Sequence, residues 1–249
     1  MKTLFLLLCG VMLSASPSFA VDKLSGQEIL KRVDNNQLLD HAIINSTMII
    51  HGRSGTRTIT SNSWISGKNK SFSEYLSPAR EKGKKMLKLG DKLWTYTPEP
   101  HDRIIAISGH LLKQSVMGSD LSYEDMMSND SMEDDYDAKV IGNETIETRP
   151  CHVLELTAKR DDVSYYKRKV WVDSERWITM QTNLIAKGGK LLKKLITKDV
   201  FKLDNRWYPK EIHFKDMLAK GGGTEYHITT IDLKATIPDS RFTKASLRR

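Results

Sequence analysis

The chain has 249 residues, 39 of them Lys or Arg against 31 Asp or Glu, for a net charge of +8, and it contains only two cysteines. A chain this long can bury a core of its own, and two thiols cannot build the disulfide framework of a small secreted domain. The basic balance does not point to nucleic acid, because the lysines are not interleaved with a recognisable binding motif.

Residues 1–20 read as a signal peptide. Lys2 supplies the charged start, Leu4 to Leu13 is an apolar run too short to span a bilayer, and Ser18-Phe19-Ala20 is a small-x-small cleavage site. Its removal takes Lys2 and Cys9, leaving residues 21–249 as a single exported domain with net charge +7 and Cys151 as the sole thiol. Stability in an oxidising compartment then rests on the core.

Next comes a helix start. Ser25 can cap, Glu28 completes a capping box, and Leu24 can staple onto Ile29, after which Ile29, Leu30 and Val33 form one apolar stripe. From His41 the pattern turns to strands: 41–52, 56–66, 71–76, 84–89, 92–97 and 103–107, with Gly90-Asp91 as a two-residue hairpin signal.

The stretch 108–127 breaks that pattern. It carries Leu111, Leu112, Val116, Met117, Leu121, Met126 and Met127, with Gly109 and Gly118 dividing it. Taken alone it reads first as short helices plugging a barrel, since an apolar face is usually core. A movable cover is the second reading, because Met adapts to irregular shapes and Gly permits sharp turns. From Gln114 to Ala138 there are eight acids and no Lys or Arg, so the remainder of the chain is strongly basic. Such polarity can steer docking to a charged partner or to anionic headgroups, or can simply be a solvated loop.

Strand signals then resume at 138–141, 151–158, 165–172, 177–186, 191–203, 206–215 and 224–235, with connectors such as Gly142-Asn143, Asp204-Asn205 and Gly221-Gly222-Gly223. Connectors this short demand antiparallel neighbours. Ile178, Met180, Thr182 and Leu184 alternate as one face, and Lys193, Lys194, Lys198 and Lys202 suggest an exposed face or edge for their strand. One large bent antiparallel sheet follows, enclosing space that its own side chains need not fill.

No active-site pattern is present. The chain lacks a nucleophile elbow, a phosphate-cradling loop and HExxH, and its seven histidines are scattered, mostly without metal-ligand spacing. His101-Asp102 and Cys151-His152 are adjacent pairs whose side chains would face opposite sides of a strand. The acids between Asn129 and Asp137 lack the calcium-loop pattern. The chain therefore reads as a non-enzyme with neither metal nor cofactor.

Two strings are more specific: Gly90-Asp91-Lys92-Leu93-Trp94-Thr95-Tyr96-Thr97-Pro98, and Gln114-Ser115-Val116-Met117-Gly118-Ser119-Asp120-Leu121-Ser122-Tyr123-Glu124-Asp125. With the Glu28-Ile29-Leu30 helix start, Val170-Trp171-Val172-Asp173 and Ile237-Pro238-Asp239-Ser240-Arg241-Phe242, the sequence resembles the outer-membrane lipoprotein-sorting family of LolA-like periplasmic proteins. The resemblance implies a mainly β fold with a few α elements: an incomplete, half-open antiparallel β-barrel of about eleven strands with an N-terminal helix and a helical lid. It also implies an apolar cavity for lipid or lipoprotein acyl chains, lined in part by Trp94, Tyr96, Ile105, Leu111, Leu112, Val116, Met117, Met126 and Met127.

With the resemblance, the cover reading overtakes the plug. Implied partners are an inner-membrane transporter of ABC or RND type and an outer-membrane acceptor, with transient membrane contact, periplasmic location and no nucleic acid. No arginine role is carried over to Arg53 or Arg57. The alternative is a periplasmic sensor or accessory protein of an envelope transporter or stress regulator built on the same fold.

Overall fold

The structure, a computed structural model, describes residues 24–127, 131–161 and 163–249. The signal peptide expected over residues 1–20, and Asn129 and Asp130 of the acidic stretch, lie outside the described residues.

Helix α1 (Gly26–Gln37) begins where the capping box predicts. The Ser25 hydroxyl accepts from Glu28 N at 3.2 Å, and the Glu28 carboxylate accepts from Ser25 N at 2.7 Å. Its stripe of Ile29, Leu30 and Val33 is fully buried against Leu154, Leu156, Val170 and Val172. The helix comes so close to the sheet that a Cβ on Gly26 would lie 2.4 Å from the Ala138 carbonyl oxygen.

Thirteen strands follow: β1 (His41–Gly52), β2 (Gly55–Ser66), β3 (Lys70–Ser77), β4 (Lys85–Leu89), β5 (Lys92–Thr97), β6 (Arg103–Ile107), β7 (Tyr136–Ile146), β8 (Arg149–Ala158), β9 (Lys167–Asp173), β10 (Thr179–Ile185), β11 (Leu191–Leu203), β12 (Arg206–Asp216) and β13 (Gly223–Asp232). They form one antiparallel sheet in the order β6-β5-β4-β3-β2-β1-β13-β12-β11-β10-β9-β8-β7. The mainly β, half-open architecture is as expected, with thirteen strands rather than about eleven. The sheet is open, with β6 and β7 as its edges, and the segment between them carries the chain from one edge to the other.

Three expectations need correction. Gly142-Asn143 is not a connector: it lies inside β7, opposite Val153 and His152, and the reversal falls after Ile146, where Glu147 takes φ 55°. The lysine-rich β11 is not an edge but runs between β10 and β12, with Lys198 and Lys202 exposed and Lys193 only 8% exposed. In β10 the register shifts between Thr179 and Gln181. That bulge sends Ile178 and Met180 to the cluster with Cys151, Val153 and Trp171, while Thr182 and Leu184 face a different space beside Phe214.

The sheet has an inner face, covered by α1 and by residues 108–127 and 131–135, and an outer face. On the outer face the C-terminal residues fold back as short 3-10 turns (Asp239–Arg241 and Lys244–Arg248). Phe242 and Leu247 pack there with Phe72, Leu87, Trp94 and Tyr96, and the Arg241 guanidinium lies 4.4 Å from the Trp64 ring centre. Cys151 is a buried free thiol in the other outer-face cluster, and burial pushes its pKa up, so it stays protonated and inert.

Candidate functional site: a tethered cover over the inner face

The insert is built from a 3-10 turn (Gly109–Lys113), a tight reversal and two short helices, α2 (Tyr123–Met127) and α3 (Met132–Asp135). Around the reversal Ser115 bridges to Ser122, and Val116 N donates to the Leu121 carbonyl at 2.8 Å. Met117 and Gly118 turn the corner with φ of 54° and 74°, the second of which suits glycine. The apolar side chains point onto the sheet. Leu121, Met117 and Met126 pack with Met48, Ile50, Ile59 and Tyr75, while Leu111, Leu112, Met126 and Met127 pack with Met86, Leu93 and Ile107. Val116 is buried as well.

Polar tethers hold this apolar cover down. Asp125 forms an ion pair with Lys193, accepts from the Ser122 amide and hydroxyl at 2.7 and 2.8 Å, and accepts from the Tyr165 hydroxyl at 2.8 Å. Burial, then the adjacent Asp125 carboxylate, drives the Tyr165 pKa far up, so its hydroxyl remains a donor. Asp120 accepts from Thr224 Oγ1 and Asp216 N, each at 2.8 Å. Arg57 donates to the Met117 carbonyl at 2.7 Å, and Lys88 donates to the Met127 carbonyl at 2.6 Å. On the far side Asp34 of α1 accepts from Ser131 Oγ and Glu133 N, at 2.5 and 3.0 Å, and so fastens α3 to α1.

Two cavities flank the cover. The first, about 390 Å³, is lined by Arg57, Tyr75, Arg80, Met86, Thr95 and Tyr123 among others, and has a cationic rim. The second, about 280 Å³, lies between α1, the cover and β9–β12, where Met132, Leu184, Leu195, Ile212 and Phe214 meet Thr179 and Thr182. Each is lined by one buried hydroxyl without a hydrogen-bond partner among the described residues, Tyr75 in the first and Thr179 in the second.

The residues expected to line one space divide between two faces. Leu111, Leu112, Val116, Met117, Met126 and Met127 belong to the cover on the inner face. Ile105, opposite Thr95 on the edge strand, is 39% exposed on that same face. Trp94 lies on the outer face, because its neighbour Leu93 takes the inner position and side chains alternate along β5. Tyr96 has its ring in the same outer cluster, although it also contributes to the wall of the first cavity. The polar tethers Arg57, Asp120, Asp125, Tyr165 and Lys193 went unread. Asp120 and Asp125 were visible among the eight acids of the stretch, and Ser122 is a local partner of Asp125, but Tyr165, Lys193, Asp216 and Thr224 stand tens of residues away in sequence.

Residues 67–249 match a family model described as "-like: Uncharacterized protein". No curated protein matches the chain. Among solved structures, the chain is similar to a DUF1329 family protein from Desulfovibrio piger, with a TM-score of 0.82 and 24% identity over 90% of this chain and 98% of that one. It is similar to a protein from Vibrio parahaemolyticus described as an outer membrane lipoprotein-sorting protein domain, with a TM-score of 0.79 and 22% identity over 90% and 98%. A LolA superfamily protein from Nitrosomonas europaea matches with a TM-score of 0.75 and 23% identity over 90% and 100%. The chain belongs to the family whose model spans residues 67–249, and its fold is that of the LolA-like, lipoprotein-sorting proteins.

Proposed function

We propose that this protein is a periplasmic, non-enzymatic carrier that shelters the acyl chains of a lipid or lipoprotein beneath the insert. On this reading it takes its cargo from an inner-membrane transporter of ABC or RND type and yields it to an outer-membrane acceptor, touching membranes only in passing. Its signal peptide is residues 1–20, and residues 21–249 are one carrier domain. The observation that carries the proposal is the contrast between the apolar underside of the cover and the polar tethers that hold it. Lifting the insert would trade its apolar contacts for those of the cargo, while water takes over the hydrogen bonds of the tethers.

Size supports the same reading. A cavity of about 150 Å³ holds one benzene ring, so the 280 Å³ hollow accepts on the order of one short chain segment with the cover down. Full acyl chains need the cover lifted, which would free Met48, Ile50, Ile59, Met86, Leu93 and Ile107. The cover's own Leu and Met side chains then stand where cargo would lie, and each methylene they or the cargo remove from water is worth about 0.8 kcal/mol. The unpartnered hydroxyls of Tyr75 and Thr179 are placed to meet the polar ester or amide at a chain's end.

The test is uptake of a fluorescent fatty-acyl probe by delipidated protein. Saturable uptake, competed by the lipid recovered from native protein and accelerated in Asp125→Asn, is the expected result. A delipidated, folded protein that takes up no probe in either form overturns the proposal.

A further inference from the structure

The outer face of β1, β13 and β12 carries a group of side chains that the carrier reading does not use. Glu211 and His213 alternate on β12, and Glu225 and His227 alternate on β13, so each strand contributes one Glu-x-His pair to a single face. The strands are antiparallel, and the register sets Glu211 opposite His227 and His213 opposite Glu225. Acids and imidazoles therefore form a crossed square. His51 joins from β1, next to the end of β13.

The contacts are close. His51 Nε2 lies 2.7 Å from Glu225 Oε1, and His227 Nε2 lies 3.1 Å from Glu225 Oε2. His213 Nε2 lies 2.5 Å from Glu211 Oε1, and His227 Nδ1 lies 3.7 Å from Glu211 Oε2. All five side chains are half-buried, between 28 and 37% exposed.

Local backbone holds His51 in place. The Gly222 amide donates to the His51 carbonyl at 2.7 Å, and a Cβ on Gly222 would fall 2.7 Å from the His51 Cβ. A surface hollow of about 210 Å³ opens beside the group, lined by His51, His213, Glu225 and the glycines.

Donor atoms of Glu211, His213 and Glu225 lie within 4.8 Å of one another. Ligands bonded at about 2.0–2.1 Å to one tetrahedral ion sit about 3.3 Å apart, so small side-chain rotations close this set around a metal. We propose that Glu211, His213 and Glu225, with His51 or His227 as a fourth ligand, form a site for a divalent transition-metal ion. Imidazole and carboxylate together suit Zn²⁺ and its neighbours rather than Ca²⁺ or Mg²⁺, which take oxygen ligands. The ion would join β12 to β13, and with His51 as the fourth ligand it would join β1 as well.

The test is titration of the purified, chelator-treated protein with Zn²⁺, alongside Mg²⁺ as a control. The expected result is one Zn²⁺ per chain, no Mg²⁺ binding, and at least tenfold weaker Zn²⁺ binding in both His213→Ala and Glu225→Gln. His110→Ala, far away in the insert, should bind as the parent does. Each variant's urea midpoint without metal checks its fold, and His51→Gln/His227→Gln serves as a second variant if either fails that check. Substoichiometric binding, or parental affinity in the ligand variants, overturns the site, as does loss in His110→Ala equal to that in His213→Ala.

Discussion

Asp173 shows how much one residue can hold. Its carboxylate is fully buried, accepts two bonds from Arg149 at 2.8 and 3.1 Å, and accepts the amides of Glu175 and Arg176 at 2.9 and 3.0 Å. Burial opposes its charge, yet the Arg149 guanidinium and the two amides prevail, and its pKa lies below the ordinary value of 3.8. A depressed folded pKa means that the stabilisation is complete above the unfolded value, near pH 4, and is lost as pH falls through the folded one. Asp173→Asn should therefore destabilise by about 1–3 kcal/mol at pH 7, because Arg149 keeps only the exposed Glu175 as its counter-charge. The gap between variant and parent should narrow in urea melts below pH 4. In the sequence, Asp173 was visible only as the end of a Val-Trp-Val-Asp string, since Arg149 lies on another strand.

At the scale of elements, the capped helix and most strands were legible because each declares itself locally. Ser25 and Glu28 mark α1, and Gly90-Asp91 marks the β4–β5 hairpin. The β10 bulge and the burial of Lys193 were not legible, because a register shift and an ion pair depend on partners that the local pattern does not contain. The same limit hid the tethers of the insert, whose apolar and Gly-divided character was plain.

Two consequences can be measured at this scale. Asp125→Asn weakens the ion pair to Lys193, so amide exchange over residues 115–127 should accelerate at least tenfold while β1, β2 and β13 stay protected. An unchanged exchange rate would show that the apolar contacts alone pin the segment. Gly26→Ala drives a methyl group into the Ala138 carbonyl, so α1 must shift off β7. A loss of about 1–3 kcal/mol in chemical denaturation is expected, with exchange faster in α1 than in β1–β5.

The whole molecule has a division of labour between its two sheet faces. The inner face holds apolar clusters beneath α1 and the insert, and the outer face is sealed by the C-terminal turns at one end and by the Cys151–Trp171 cluster at the other. The half-open sheet was legible in the sequence from short connectors and the lack of a linker. Which face each residue takes was not, because a shift of one residue exchanges the faces. Trp94 is the instructive example: its neighbour Leu93 has the inner place, and the ring serves as a platform for Lys244, whose Nζ lies 4.4 Å from its centre.

The last strand along the chain, β13, sits between β1 and β12. A nascent polypeptide ending before Gly223 would hold two separate half-sheets, each with a raw border, because the zipper that joins them is made last. Assembly must wait until β13 has been made, and such distant pairings are slow to form. Stalled chains ending at residue 222 should bind a holdase and resist refolding, and adding a peptide of residues 223–249 should restore protease resistance.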